Sequence, residues 1–238
     1  MKPTKTFFSS CTALPYTDVT SAGTIQKGIV PVADEVSTEV FLNGIFTTTL
    51  VSSPHDLCSL AAGYCLAENR LPAGQEIRDV IVQNGTAQVV TGPAAATPWH
   101  QSQDFTIRAA DVYRYGNILD SLSAAHHRSH GIHEGALVQG TTLLAYAEDI
   151  GRHNVLDRLR GTAALHHIDV SQALLIFSGR VPQSVIVKAH AMGLSILASR
   201  AMPSTLGIRL ADQYGMTLLC GLRTDRFRIF THGERILV

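Results

Sequence analysis

The chain has 238 residues, 45% of them hydrophobic, and its 19 basic and 19 acidic side chains leave a formal net charge of zero. That is enough apolar material for one large or two small domains with a true core. The neutral balance argues against bulk binding of nucleic acid or an anionic membrane surface, and no apolar run approaches the ~18 residues that would span a bilayer. Residues 1–11 carry charge and two aromatics but too short an apolar region for a secretion signal, so a soluble cytoplasmic chain is expected. Cys11, Cys58, Cys65 and Cys220 include no Cys-x-x-Cys pair and do not have the density of a disulfide scaffold.

Residues 1–24 lack periodicity and read as a loosely held leader. Strand-like stretches follow at residues 24–30, 35–42 and 45–51, the last two joined by Asn43-Gly44, where both positions tolerate positive φ. Ser53-Pro54 reads as a helix start, with Leu57, Leu60, Ala61, Tyr64 and Cys65 as the buried stripe. Two short strands at 79–82 and 87–91 turn at Asn84-Gly85. Residues 25–92 thus make a smaller N-terminal α+β portion, and residues 93–103, rich in Pro and Ala, an exposed connecting loop.

Residues 104–238 read as an α/β domain. Its first helix sets Val112, Tyr115, Leu119, Leu122 and His126 on one stripe, with Gly116 as a weak point. His133 leads into a strand through Val138, and from Leu143 onward strands and helices alternate. The helices begin near Arg152, Pro182 and Pro203, the last burying Leu206, Leu210, Ala211 and Tyr214. Strands fall at 174–177, 196–198, 217–222 and 227–231. This alternation predicts a mostly parallel sheet with right-handed crossovers.

Parallel sheets bind ligands just past the carboxyl ends of their strands. The residues in those places are Glu148-Asp149-Ile150-Gly151-Arg152-His153-Asn154, Ser178-Gly179-Arg180, Ser199-Arg200 and Gly221-Leu222-Arg223-Thr224-Asp225-Arg226. Asp149 as a cap and Gly151 as a tight turn explain two of them in structural terms. The others share a pattern: every crossover brings an arginine to one edge. A planar guanidinium meets two phosphate oxygens at once, and a hydrogen bond to a charged group contributes ~1.5–3 kcal/mol. The edge is therefore expected to bind a nucleotide or a nucleotide-bearing cofactor. An alternative keeps the nucleotide but makes the chain an unrelated processing enzyme, with His133 and Glu148 as acid and base.

Other chemistry is poorly supported. His126, His130 and His133 have no carboxylate or thiolate to complete a metal set, so no directly bound metal is expected. His232-Gly233-Glu234 matches half of a zinc-deaminase signature, but the P-C-x-x-C half is missing. Ser178 lacks the G-x-S-x-G elbow of a hydrolase nucleophile.

The run Ala147 to Asn154 followed by Asp157, then Phe177-Ser178-Gly179-Arg180, then Ser199-Arg200 with Pro203, resembles the formate dehydrogenase accessory sulfurtransferase family, FdhD. Glu39-Val40-Phe41-Leu42-Asn43-Gly44, Ser53-Pro54-His55-Asp56-Leu57, Gly63-Tyr64 and Gly131-Ile132-His133 extend the likeness over nearly the whole chain from about residue 25. The resemblance implies a cytidine-deaminase-like α/β/α sandwich without zinc, in a homodimer. It also implies a sulfur carrier that takes persulfide from a cysteine desulfurase. The sulfur passes to the molybdenum cofactor, bis-molybdopterin guanine dinucleotide, before that cargo enters the formate dehydrogenase apoprotein. By family position, residues 221–226 would lie against the cofactor. The family's Cys-x-x-Cys loop reads here Thr91-Gly92-Pro93-Ala94-Ala95-Ala96-Thr97-Pro98-Trp99, and alanine supplies no sulfur for a persulfide. A non-catalytic cofactor-binding or chaperone module is the alternative to a relay.

Overall fold

β2 (Ile25–Ala33), over the strand expected at 24–30, pairs antiparallel along its full length with β1 (Cys11–Val19), which lies in the stretch read as a leader, and the two make a two-stranded ribbon. The computed structural model describes residues 10–94, 105–122 and 131–238. Ala95 and Ala96, most of the connecting loop, and His126 and His130 lie outside them.

β3 (Val36–Leu42), β4 (Ile45–Ser52), β5 (Gln75–Gln83) and β6 (Thr86–Pro93) form a sheet in the order β4-β3-β6-β5. Both its hairpins close through left-handed pairs, Asn43-Gly44 at φ 50° and 82° and Asn84-Gly85 at 50° and 75°, as their composition requires. α1 (Leu57–Ala67) covers one face over Val40, Ala87 and Val89. Its cap is Asp56, which accepts from Ser59 N, and not the expected Ser53. Ser53 is held instead by the second half of the chain.

That half contains β7 (Ile107–Arg108), α2 (Ala109–Leu122), β8 (His133–Gln139), β9 (Thr142–Asp149), α3 (Arg152–Leu165), β10 (Leu174–Phe177) and α4 (Gln183–Ala191). β11 (Ile196–Ser199), α5 (Thr205–Gln213), β12 (Thr217–Cys220), β13 (Arg228–Thr231) and β14 (Ile236–Leu237) complete it. The main sheet has six strands in the order β13-β12-β11-β10-β8-β9. Its β10–β11 and β11–β12 pairings are parallel, whereas β8–β9, β8–β10 and β12–β13 are antiparallel.

The mostly parallel sheet expected from the alternation, and for the cytidine-deaminase-like sandwich that the resemblance implied, is thus corrected to a mixed sheet. The cause is β8, which enters by a hairpin with β9 and inserts between β9 and β10, while β13 adds an antiparallel edge. Strand–helix alternation fixes the direction of β9, β10, β11 and β12 but not which strands are neighbours.

Side chains alternate between the two faces of this sheet. One face packs α3, α4 and α5 around Leu156, Phe177, Ile186 and Leu197; the other packs Val112, Tyr115 and Leu119 of α2 over Ile176 and Ala198. Leu206, expected inside, is exposed at the start of α5. The two halves meet where α1 crosses α3 at Gly63 and Gly161. A Cβ on Gly63 would lie 1.6 Å from Asp157 O, and one on Gly161 would lie 1.9 Å from Ser59 O, so the backbones touch directly.

Candidate functional site

Because β8 runs antiparallel to both β9 and β10, strands β9, β10, β11 and β12 all point the same way. Their carboxyl ends form one rim, and the four expected loops lie along it. His133, first residue of β8, joins them as the register partner of Asp149.

The loops have different tasks. Asp149 is fully buried: one oxygen accepts from Arg158 Nη2 (2.6 Å) and Nε (2.9 Å) and from Ser53 N (3.2 Å). The other accepts from Gly151 N (2.8 Å) and Asn154 Nδ2 (2.9 Å). Arg158 also donates to Ser53 O (2.8 Å), Asp56 O (3.0 Å) and His55 O. Asn154 reaches Val51 O (2.8 Å), and Ser53 Oγ takes Ile150 N (3.2 Å). Asp149, Gly151 and Asn154 therefore fasten the rim to the Ser53–Asp56 turn. Gly151, at φ −97°, is not a left-handed turn; a Cβ there would press on Asn154 Nδ2 at 2.8 Å. Arg158, which sequence reading missed, is the hub, and its only signal was a charge on the apolar face of α3.

Ser178 and Ser199 are latches. Ser178 Oγ accepts from Glu134 N (2.9 Å), and Ser199 Oγ donates to Gly179 O (2.7 Å) while accepting from Ala201 N (3.1 Å). They set the spacing of the loops after β10 and β11.

Glu148 is buried and accepts from the Tyr146 hydroxyl (2.9 Å), as does Glu134, its register partner, at 3.3 Å. His133 pairs with Asp149 on the opposite face of the sheet. His133 and Glu148, expected as acid and base, thus stand at adjacent register positions on opposite faces of the sheet. His153 lies among positive charges: burial first, then Lys188 and Arg152, hold its imidazole below the usual histidine range. Lys188 meets both oxygens of Asp157 (2.7 and 2.8 Å), whose carboxyl burial pushes upward.

At the other end of the rim, Tyr113, Gly116, Asn117, Arg200, Leu222, Arg223 and Thr224 line a pocket of about 300 Å³. Arg200 Nη2 donates to Gly116 O (2.8 Å), and Arg223 Nη1 to Arg200 O (2.9 Å) and Leu222 O (2.7 Å). Gly221, at φ +66°, turns the chain out of β12, and Arg223 N closes the following turn on Arg226 O (2.8 Å). Arg180, Arg223, Thr224, Asp225 and Arg226 are exposed. Among the described residues, no carboxylate pairs with Arg152, Arg180, Arg223 or Arg226. Tyr113, tilted against Phe227 at 5.1 Å, and Asn117 are contributions from α2 that sequence reading did not foresee. Their signal was an aromatic and an amide four apart, beside the packed stripe.

The described cysteines are free, and no group of three or more metal-ligating side chains occurs among the described residues. Burial pushes the Cys65 thiol up to about 11 and the Cys220 thiol up to about 12, and raises Cys58 as well.

The model of the FdhD/NarQ family matches residues 85–237. The chain belongs to that family. It is 29% identical over 239 residues to the sulfur carrier protein FdhD of Geobacillus kaustophilus, covering 86% of this chain and 91% of that one. The sulfur carrier protein FdhD of Staphylococcus aureus strain MRSA252 is 27% identical, with 83% and 86% covered. A crystal structure described as that of a formate dehydrogenase accessory protein from Desulfotalea psychrophila superposes with a TM-score of 0.86 at 25% identity, covering 96% of this chain and all of that one. The four cysteines of this chain form no Cys-x-x-Cys pair.

Proposed function

We infer that this FdhD-family protein binds the guanine dinucleotide form of the molybdenum cofactor through its phosphates and one nucleotide moiety, as an accessory to formate dehydrogenase. The observation that carries the reading is the common rim: guanidinium groups after β9, β10, β11 and β12, with no carboxylate on Arg152, Arg180, Arg223 or Arg226 among the described residues. Arg180, Arg223 and Arg226 would hold phosphate, with Arg152 and the α3 start at the far end. The pocket's 300 Å³ is at the small end of ligand sites, which suits a base with its ribose and not a whole dinucleotide. Tyr113 offers an aromatic face there and Asn117 an amide able to both donate and accept. The cofactor is cargo here. The chain's own residues bind and orient it.

Sulfur relay from a cysteine desulfurase needs an exposed thiolate. The raised Cys58, Cys65 and Cys220 thiols favour a second reading, in which the protein carries or shields the cofactor without passing sulfur. Incubation with a desulfurase, cysteine and a persulfide-reactive probe separates the two. The carrier reading expects no label on any of the four cysteines, and persulfide on any of them, Cys11 included, restores the relay. Complementation of cells lacking their own accessory protein, read as formate oxidation, tests the client. Growth without formate oxidation would place the client elsewhere.

A further inference from the structure

The chain is neutral as a whole, but its charge is divided. Residues 10–94, which form the ribbon, the four-stranded sheet and α1, carry three basic and eight acidic side chains. The remaining described residues carry 13 basic and 10 acidic ones, the arginines of the rim among them. The N-terminal half is therefore the acidic end, and a partner drawn to it by charge is basic.

That half has a sheet face without a cover. α1 lies on one side of the four-stranded sheet, over Val40, Ala87 and Val89. By strand alternation the other side presents Phe46, Phe41, Gln88 and Ile81, which the register sets in one row across β4, β3, β6 and β5. Phe46 and Ile81, at the two ends of the row, are 54% and 53% exposed, and Val90, diagonal to Ile81, is exposed as well. The Phe41 ring stands edge-on to Phe46 at 5.6 Å. Together they make an apolar patch on the order of 300 Å², a size that on a soluble protein often marks a binding surface.

Two carboxylates bracket the row. Glu39 lies two residues before Phe41 on β3, facing Thr49 and Thr86; Asp79 lies two before Ile81 on β5, facing Val90. Because β3 and β5 run in opposite directions, the two acids stand on opposite sides of the row. Both are exposed, and neither forms an ion pair among the described residues. Arg78, next to Asp79 in the chain, is turned instead to Glu76 at 3.0 Å.

An apolar row with a carboxylate on either side is the complement of a helix whose apolar stripe is flanked by Lys or Arg. Four strands ~4.8 Å apart make the row ~14 Å long, the length of about ten helical residues. The opposite face of the same sheet already holds a helix, α1. We propose that the outer face of the four-stranded sheet docks a basic amphipathic helix of a partner protein, its apolar stripe on Phe46, Phe41 and Ile81 and its cations on Glu39 and Asp79. None of the rim residues takes part, so the proposal is independent of the nucleotide reading.

Fluorescence anisotropy on the full chain tests it. The probe is a labelled peptide of about 18 residues, long enough to form a helix alone, with a leucine stripe flanked by lysines. A counterpart carries glutamate in place of each lysine. The lysine peptide is expected to bind the wild type, more weakly with added salt, and at least about tenfold more weakly to Phe46→Lys/Ile81→Lys. Glu39→Lys/Asp79→Lys should weaken the lysine peptide by about fivefold and gain affinity for the glutamate peptide. Circular dichroism checks that each variant folds, and either folded variant decides alone. No binding by the wild type, as when a second copy of the chain already covers this face, overturns the proposal. So does equal binding of the lysine peptide by the wild type and a folded variant.

Discussion

Arg158 is 1% exposed, and its guanidinium is satisfied by Asp149 and by the carbonyls of Ser53, His55 and Asp56. Removing one partner of a buried pair leaves the other charge uncompensated, at a cost of about 3–5 kcal/mol. Arg158→Met should lower stability in urea by that amount, whereas a loss under about 1 kcal/mol would mean Asp149 is otherwise served. His55 gives a second test. Burial, then the nearby Arg158 charge, lowers its pKa to about 3 from the ordinary histidine value of 6.5. Between those values the unfolded chain carries the proton and the folded chain does not. Stability from this group is thus complete above pH 6.5 and declines as pH falls toward 3. His55→Gln should flatten the acid limb of a stability–pH curve by up to one proton, about 1.4 kcal/mol per pH unit. Superimposable limbs would contradict the placement.

The α1–α3 crossing sets how closely the two halves approach. Gly161→Ala or Gly63→Ala would force a methyl group into a facing carbonyl and should cost about 3 kcal/mol or more, seen as a lower melting temperature. An unchanged melting curve would mean that the helices separate freely. The hairpin turns and the β9, β10, β11 and β12 strands were legible because their signals are local: Asn-Gly pairs, short apolar runs and proline at helix starts. β8's insertion was not, since neighbour order depends on packing between distant segments. β1 was missed for a related reason. Its residues lack polar–apolar alternation, so period-two reading sees nothing in residues 11–19. At the site, the arginines after each strand were visible, whereas the internal role of Asp149, Asn154, Ser178 and Ser199 needed their partners to be seen.

On the scale of the whole molecule, the mixed sheet still gathers four strand ends on one rim, and the N-terminal half braces that rim through the Asp149–Arg158 clamp. Latched serines and the clamp fix the backbone of the loops that carry the exposed arginines before any ligand arrives, which lowers the entropy lost on binding. Affinity built on such contacts should fall with added salt. The most direct test is calorimetric titration of the full chain with guanosine diphosphate, against adenosine diphosphate and against an Arg180→Ala/Arg223→Ala variant. The account predicts binding of the guanine nucleotide that weakens at least about tenfold in the double variant, the loss of roughly one charged hydrogen bond's worth of free energy. Equal binding by variant and wild type, or none by either, would contradict it.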